Sequence, residues 1–420
     1  MLCGRVNFTN LSRYSPLSER TYRRQFEQDF AFVQLNQHTI AAAIAKPEEA
    51  IGAIDCSFIA KSGKATYGVD WFYNGSANRS EKGLEISVIA VVDVAAHQGY
   101  TLSVQQTPPS PVTSRRKGTR KTTPGRTQQR VTTEAIQHAQ AYLQQLPDKG
   151  QPADGSTPLP SPSPKLTRID HYLHHLGATR PYFPEGLRYL VGDGFYSKQK
   201  FIDGVVALDL EWIGKLRLDA DLRYLYTGPQ KKRGCPRKYD GKVTLNDISR
   251  FTWVEDIEPQ LSLYTALVWH VSLKRTLRLA LLVDTRKASK TGMVLLFSTD
   301  TNLHAKQIFT YYKARFQIEF IFRDAKQFTG LSAAQTRHPK RLDFHFNASL
   351  SALNLAKYDA QTRHPQDNAD PVPFSMASYK RMAFNDHLLE CFIRQLELDP
   401  TSIKSHPNYQ NLRSHGIIAA

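Results

Sequence analysis

The spacing of hydrophobic positions changes character along the chain. In residues 1–48, Phe26, Phe30 and Val33 recur at three- to four-residue intervals behind Ser18, which stands where an N-cap would, ahead of Glu19, Arg20 and Tyr22. Ala41 to Ala45 has high helix propensity and Pro47 stops it. A helical N-terminal segment is expected, serving either as a DNA-binding module or as a packing helix pair. From Ile51 the pattern turns to strands: Gly52-Ala53-Ile54-Asp55 reads as a buried strand ending in a carboxylate. Thr66 to Phe72, Leu84 to Asp93 and Tyr100 to Val104 complete an antiparallel meander. Tyr189-Leu190-Val191-Gly192-Asp193-Gly194 reads as a strand entering a tight glycine turn, and Ser197 opens a helix. Val205 to Asp209, Trp212 to Leu218, Leu261 to Leu273, Leu277 to Asp284 and Met293 to Ser298 are strand-like. One long helix is expected over Ala305–Phe328, another over Phe344–Tyr358, and a third near Phe384–Leu396 in a polar tail.

Residues 107–165 interrupt this pattern. Arg115 to Arg130 holds seven Lys or Arg and no acid, and Pro152, Pro158, Pro160, Pro162 and Pro164 follow among Ser and Gly, beyond a short helical piece at Thr133–Leu146. Such composition buries too little apolar surface to offset ordering entropy, so a flexible insertion is expected. The segments are then 1–48 (helical), 49–106 (first part of a core), 107–182 (basic, Pro-rich insertion), 183–218 (second part of the core), 219–290 (β-rich insertion), 291–360 (the end of the core) and 361–420 (a tail with one helix).

Charge narrows the partners. Of 420 residues, 55 are Lys or Arg and 38 Asp or Glu, a formal charge of +17 that favours a polyanion. The surplus is concentrated at Arg115, Arg116, Lys117, Arg120 and Lys121, and again at Lys231, Lys232 and Arg233; both patches are DNA-contact candidates. Four scattered cysteines show no C-x2-C pair, which argues against a zinc site or a disulfide scaffold. The N-terminus lacks an apolar core of signal-peptide length, and no stretch is apolar for long enough to span a bilayer, so a cytoplasmic protein is expected.

The densest chemistry lies in the long helix. At 100° per residue, Tyr312, Arg315, Glu319 and Lys326 fall within about 60° of one face, and Arg323 falls on that face too. A carboxylate set among cations can bind Mg2+, a hard cation that prefers oxygen, while its neighbours hold phosphates. The same residues would also make an exposed helix with ordinary Arg–Glu pairing. Asp55 and Asp193, each after an apolar strand, would complete a set of three carboxylates.

Tyr312, Arg315, Glu319 and Lys326 stand at the spacing Y-x2-R-x3-E-x6-K. In this the chain resembles bacterial DDE transposases of the insertion-sequence-four type. Ile54-Asp55-Cys56-Ser57, Gly192-Asp193-Gly194-Phe195-Tyr196 and Leu295-Leu296-Phe297-Ser298-Thr299-Asp300 resemble other motifs of that family, over roughly residues 50 to 360. The resemblance implies an α/β, ribonuclease-H-like mixed sheet flanked by helices, with a β-rich insertion after the second aspartate. It implies Asp55, Asp193 and Glu319 as catalytic ligands of two Mg2+ ions, for which Mn2+ may substitute. It further implies double-stranded DNA (terminal inverted repeats and target) as substrate, a homodimer on DNA, and a nucleoid-associated place in a bacterial cytoplasm. In some relatives the insertion holds a tryptophan for hairpin formation; Trp212, Trp253 and Trp269 all remain candidates. A nuclease on the same fold and a catalytically dead DNA-binding protein are the alternatives, and an RNA-binding scaffold finds no motif in support.

Overall fold

The structure, a computed structural model, describes residues 4–109, 167–286, 291–363 and 374–417. The N-terminal segment folds as α1 (Phe8–Arg13), α2 (Glu19–Gln25) and α3 (Phe32–Ala43). The Ser18 hydroxyl accepts from the Thr21 N–H and caps α2, as its position predicts.

Twelve strands form one sheet: β1 (Ile51–Ala60), β2 (Asp70–Asn74), β3 (Arg79–Asp93), β4 (Gln98–Gln106), β5 (Tyr189–Val191), β6 (Glu211–Leu216), β7 (Leu222–Leu225), β8 (Tyr239–Lys242), β9 (Thr252–Glu258), β10 (Leu261–His270), β11 (Arg275–Asp284) and β12 (Gly292–Ser298). Five of them run in the order β4-β3-β1-β5-β6, with β5 and β6 parallel to β1 and the β3–β4 hairpin antiparallel to it. This is the mixed, ribonuclease-H-like α/β sheet. Beyond β6 the order continues β12-β11-β10-β7-β8, all antiparallel, with β9 also on β10. The strands within 219–290 therefore extend the same sheet rather than forming one of their own.

Alternation along each strand feeds two cores. Ile54, Ile89, Leu190 and Trp212 point to one face, under α4 (Arg168–Thr179) and α5 (Gln199–Val206). Ala53, Val88, Val191 and Ile213 point to the other, under α6 (Ala305–Ala314), α7 (Gln317–Asp324) and α8 (Pro339–Arg363). The tail carries α9 (Met376–Gln395) and the short helices α10 (Pro400–Ser405) and α11 (Tyr409–Arg413).

Three expectations change. Val205 to Asp209 is not a strand: Val205 and Val206 form the end of α5, where Phe201, Ile202 and Val205 are buried at helical spacing, and Asp209 turns the chain at φ 55°. Helix α4 lies inside the span 107–182 read as insertion, yet Ile169, Tyr172, Leu173 and Leu176 are buried, and Thr167 and Asp170 form a capping box. Its His175 sits between the Ser87 and Ser103 hydroxyls at 3.0 and 2.9 Å, and burial drives its pKa far down, so the ring is neutral. The C-terminal helix α8 starts five residues earlier and ends five later than expected.

The edge of the sheet at β4 is closed by side chains. Asn354 of α8 accepts from the Thr101 N–H at 2.9 Å and donates to the Thr101 carbonyl at 2.6 Å, as a neighbouring strand would. Asn36 of α3 donates to the Leu102 carbonyl, and Lys357 Nζ to the Gly99 carbonyl at 2.5 Å. Burial lowers the Lys357 pKa to about 8 from an ordinary 10.5. A lysine whose folded pKa is depressed penalises folding fully below the lower value, and the penalty disappears as pH rises to the upper one. Stability of the wild type measured by urea unfolding should therefore rise between pH 8 and 10.5, by on the order of 3 kcal/mol relative to Lys357→Met. Parallel pH profiles for the two proteins would refute it.

Candidate active site

Parallel pairing of β1 with β5 matches Gly52 to Leu190 and Ala53 to Val191. Asp55 stands two residues further along β1, and Asp193 two residues past Val191, just beyond the end of β5. Asp55 does not end its strand: β1 continues to Ala60, held by β3, with Asp55 opposite Val88. The neighbour ends instead, since β5 stops at Val191.

Neither glycine beside Asp193 adopts a positive φ, so backbone freedom does not explain them. A Cβ on Gly192 would lie 2.4 Å from the Trp212 ring, which sits on β6 opposite Leu190. Glycine is needed there because the indole approaches the backbone. The Asp193 carboxylate is turned by accepting from the Phe195 N–H at 2.9 Å.

The third carboxylate arrives from the opposite layer. The expected long helix is broken: α6 packs over β6, β10, β11 and β12, α7 over β1, β3 and β4, and the join lies at Arg315-Phe316. There Phe316, Ile318 and Glu319 donate to carbonyls three residues back, a 3₁₀-type tightening. Both join residues keep right-handed helical angles, so the axis bends rather than stops. A π-helical turn, Ala325–Thr329, closes the segment at Gly330.

Arg315 then bridges two acids. Its guanidinium donates to Asp55 at 3.3 Å and to Glu319 at 3.1 Å. The Arg315 side chain is only 12% exposed, and its Nε has no partner among the described residues. Tyr312 lies 5.6 Å from the Arg315 guanidinium and feels the charges of Asp193 and Asp55; burial is the main cause of its raised pKa. Burial and the Asp193 charge push Asp55 up to about 7, and Glu319 adds to this, against the opposing pull of Arg315 and the Cys56 N–H. The three carboxylates thus share one electrostatic field.

Lys326 lies in the π-helical turn, at the surface, with its pKa lowered by the protein around it. Arg323 is exposed and engaged elsewhere, with Asp324 at 2.9 Å and over the Phe320 ring at 4.7 Å. Lys231, Lys232 and Arg233 are exposed in the loop between β7 and β8, on the far extension of the sheet. Arg115, Arg116, Lys117, Arg120 and Lys121, and the helical piece at Thr133–Leu146, lie outside the described residues.

Sequence reasoning did not single out Lys198. Its ammonium lies over the Phe195 ring at 3.8 Å and within the field of Asp193. Nor did it single out the polar cluster behind Asp55, where Cys56 Sγ meets the Tyr196 hydroxyl at 3.1 Å and Tyr172 donates to Glu85 at 2.8 Å. Burial lifts the Cys56 pKa far up, so this thiol stays protonated. Only the spacing Lys198–Asp193 across one turn could have signalled the first; nothing local marks the second.

The donor set suits a hard divalent cation, being all carboxylate oxygen in a site where Arg315 offsets only part of the burial and repulsion at Asp55. Among the described residues no three His, Cys, Asp or Glu side chains stand in a ready-made metal cage. The Arg315 fork between Asp55 and Glu319 accounts for this: one positive group already spans the gap.

A ribonuclease-H-like sheet with one acid within a strand, a second just past the end of the adjacent parallel strand and a third on a facing helix defines a class of nucleic-acid-cleaving domains. Residues 167–355 match a family model described as transposase DDE domain, and residues 11–154 match one described as DDE superfamily endonuclease. The two matches support a DDE transposase. No curated protein matches the chain.

Gly192→Ala should destabilise the protein by about 1–3 kcal/mol, since the Trp212 indole must shift. It should also displace Asp193 and cut DNA cleavage more than DNA binding. Unchanged urea-unfolding curves would show that the indole has room to move.

Proposed function

We propose that this protein is a DNA transposase of the insertion-sequence-four type, cutting element ends and joining them to target DNA by cut-and-paste. The observation that carries the reading is the Arg315 guanidinium shared by Asp55 and Glu319, with Asp55 also in the field of the Asp193 charge.

In this reading Asp55, Asp193 and Glu319 hold two Mg2+ ions, or Mn2+ in their place. Asp55, which interacts with the charges of both other acids, would be the ligand shared by the two ions. When bound, such ions activate water, or a freed 3′-hydroxyl, and stabilise the leaving oxygen. The chain's own groups position the phosphates. With metal charge beside the carboxylates, Arg315 would be freed from them, and its guanidinium fork would suit a phosphate near the cleaved bond. Lys326 and Arg323 extend the cationic line along the helix, and the Tyr312 hydroxyl donates to the backbone. The loop of Lys231, Lys232 and Arg233 and the basic run Arg115 to Lys121 contact the duplex further out. Two ends must be cut and joined together, which calls for a homodimer on DNA. Among the described residues no helix is long and apolar enough to cross a membrane; a place on the bacterial nucleoid in the cytoplasm follows from this substrate.

Asp193→Asn should abolish metal-dependent cleavage, by at least about a thousandfold, while duplex affinity stays within a few-fold. Retained cleavage would remove Asp193 from the site. Transfer of a labelled DNA end into a plasmid separates a transposase from a nuclease on the same fold: cutting without joining favours the nuclease.

Metal binding gives a readout independent of catalysis. Mg2+ or Mn2+ should raise the melting temperature of the wild type, since a ligand at a hundred times its Kd stabilises by about 2.7 kcal/mol. Asp55→Asn should melt no lower than the wild type without metal, because Asp55 is held against repulsion there, and should lose the metal-induced rise. An equal rise in both proteins would place the metal elsewhere.

A further inference from the structure

Strand β2 carries two large aromatic side chains on its outer face. Trp71 is 58% exposed and Tyr73 55%, while Phe72 between them is fully buried. β2 pairs with β3 so that Trp71 lies opposite Lys82 and Tyr73 opposite Ser80. β3 pairs in turn with β1 so that Val88 lies opposite Asp55. Neither pairing has a bulge, and opposed residues share a face. Ser80, Lys82 and Val88 are an even number of residues apart, so Trp71 and Tyr73 face the same side of the sheet as Asp55. Six residues separate Lys82 from Val88, which places the aromatic pair about 20 Å from Asp55 along the strand.

The pair is held in place before any partner arrives. Arg168 donates to the Trp71 carbonyl at 2.8 Å and its guanidinium lies 4.5 Å from the Phe72 ring, anchoring β2 from the opposite face. The Tyr73 hydroxyl donates to Asn78 at 2.5 Å. An exposed cation stands beside them, Lys82, opposite Trp71 on β3. Glu81, on the other face, is taken up by Asn74 and Arg79.

Exposed rings at alternate strand positions beside cations are the arrangement on which unpaired bases stack without regard to sequence. We propose that Trp71 and Tyr73 form a stacking platform for unpaired DNA bases, on the carboxylate face of the sheet and about 20 Å from Asp55. At about 3.4 Å per nucleotide this is about six nucleotides from the reacting phosphate. The proposal rests on the reading of the protein as a DNA-cleaving enzyme. It adds that DNA near the cut is held with bases unpaired, a state a duplex-only enzyme has no use for.

The test uses the full chain without divalent metal, so that nothing is cut. Affinity is measured for a short blunt duplex and for the same duplex with an oligothymidine tail of about six nucleotides. The wild type should prefer the tailed duplex about tenfold or more, the range expected for stacking of one or two bases. Trp71→Ala should lose that preference, and Trp71→Phe, which keeps a ring, should retain most of it. The tail should quench tryptophan fluorescence in the wild type and not in Trp71→Phe. Equal affinity of the wild type for both duplexes would overturn the proposal, as would a preference that survives Trp71→Ala combined with Tyr73→Ala. If the double variant instead turns a dimer into a monomer while the tail preference stays, the rings are a subunit contact and the proposal falls. Failure of the wild type to bind even the blunt duplex would overturn the DNA-cleaving reading itself, which separates the two failures.

Discussion

The site depends on a short stretch of parallel pairing. Two residue pairs between β1 and β5, Gly52 with Leu190 and Ala53 with Val191, fix the register that brings Asp55 and Asp193 side by side. Side chains alternate along a strand, so a slip of one residue would send Asp193 to the opposite face, into the layer of Ile54 and Trp212. What prevents the slip is packing. Ala53 and Val191 are buried in one core, Leu190 and Trp212 in the other, and the backbone at Gly192 fits against the indole with no room for a Cβ. The catalytic geometry proposed for these acids therefore rests on apolar residues that touch no substrate.

Bringing acids together costs free energy, and the structure shows where that cost is met. Asp55 is pushed up to about 7 by burial and by Asp193, which means that its ionised form is disfavoured where it stands. Arg315 offsets part of this by reaching Asp55 and Glu319 at once. The tightened join between α6 and α7 is what lets one guanidinium span both, since Arg315 and Glu319 leave the join on adjacent turns above β1. Arg315 is thus the residue that holds Asp55 and Glu319 together.

Much of this was legible in the sequence because it is local. The Ser18 cap, the apolar runs at Ile51 and Met293 and the spacing of Tyr312, Arg315, Glu319 and Lys326 each depend on neighbours within one or two turns. The break at Arg315-Phe316 was not legible, because both residues keep helical angles and only the hydrogen bonds shorten. Val205 to Asp209 misled for a related reason: a short apolar run has no period long enough to separate strand from helix. Helix α4 was hidden by its Pro-rich neighbourhood, although Thr167 and Asp170 already spelled a capping box. The Asn354 fork on Thr101 and the approach of Trp212 to Gly192 join residues far apart in the chain, and no local signal records them.

The extended sheet gives these parts a common frame. The strands after β6 add no second core; they lengthen the same sheet through β12, β11 and β10 and carry the cationic loop Lys231 to Arg233 at its far side. At the other end β4 is closed by Asn354, Asn36 and Lys357, so that edge cannot accept a further strand. The added strands all lie on the β6 side. The position of the acids in the middle of the sheet, rather than at its rim, follows from this one-sided growth, with the β2–β3 hairpin to one side of them and the cationic loop to the other.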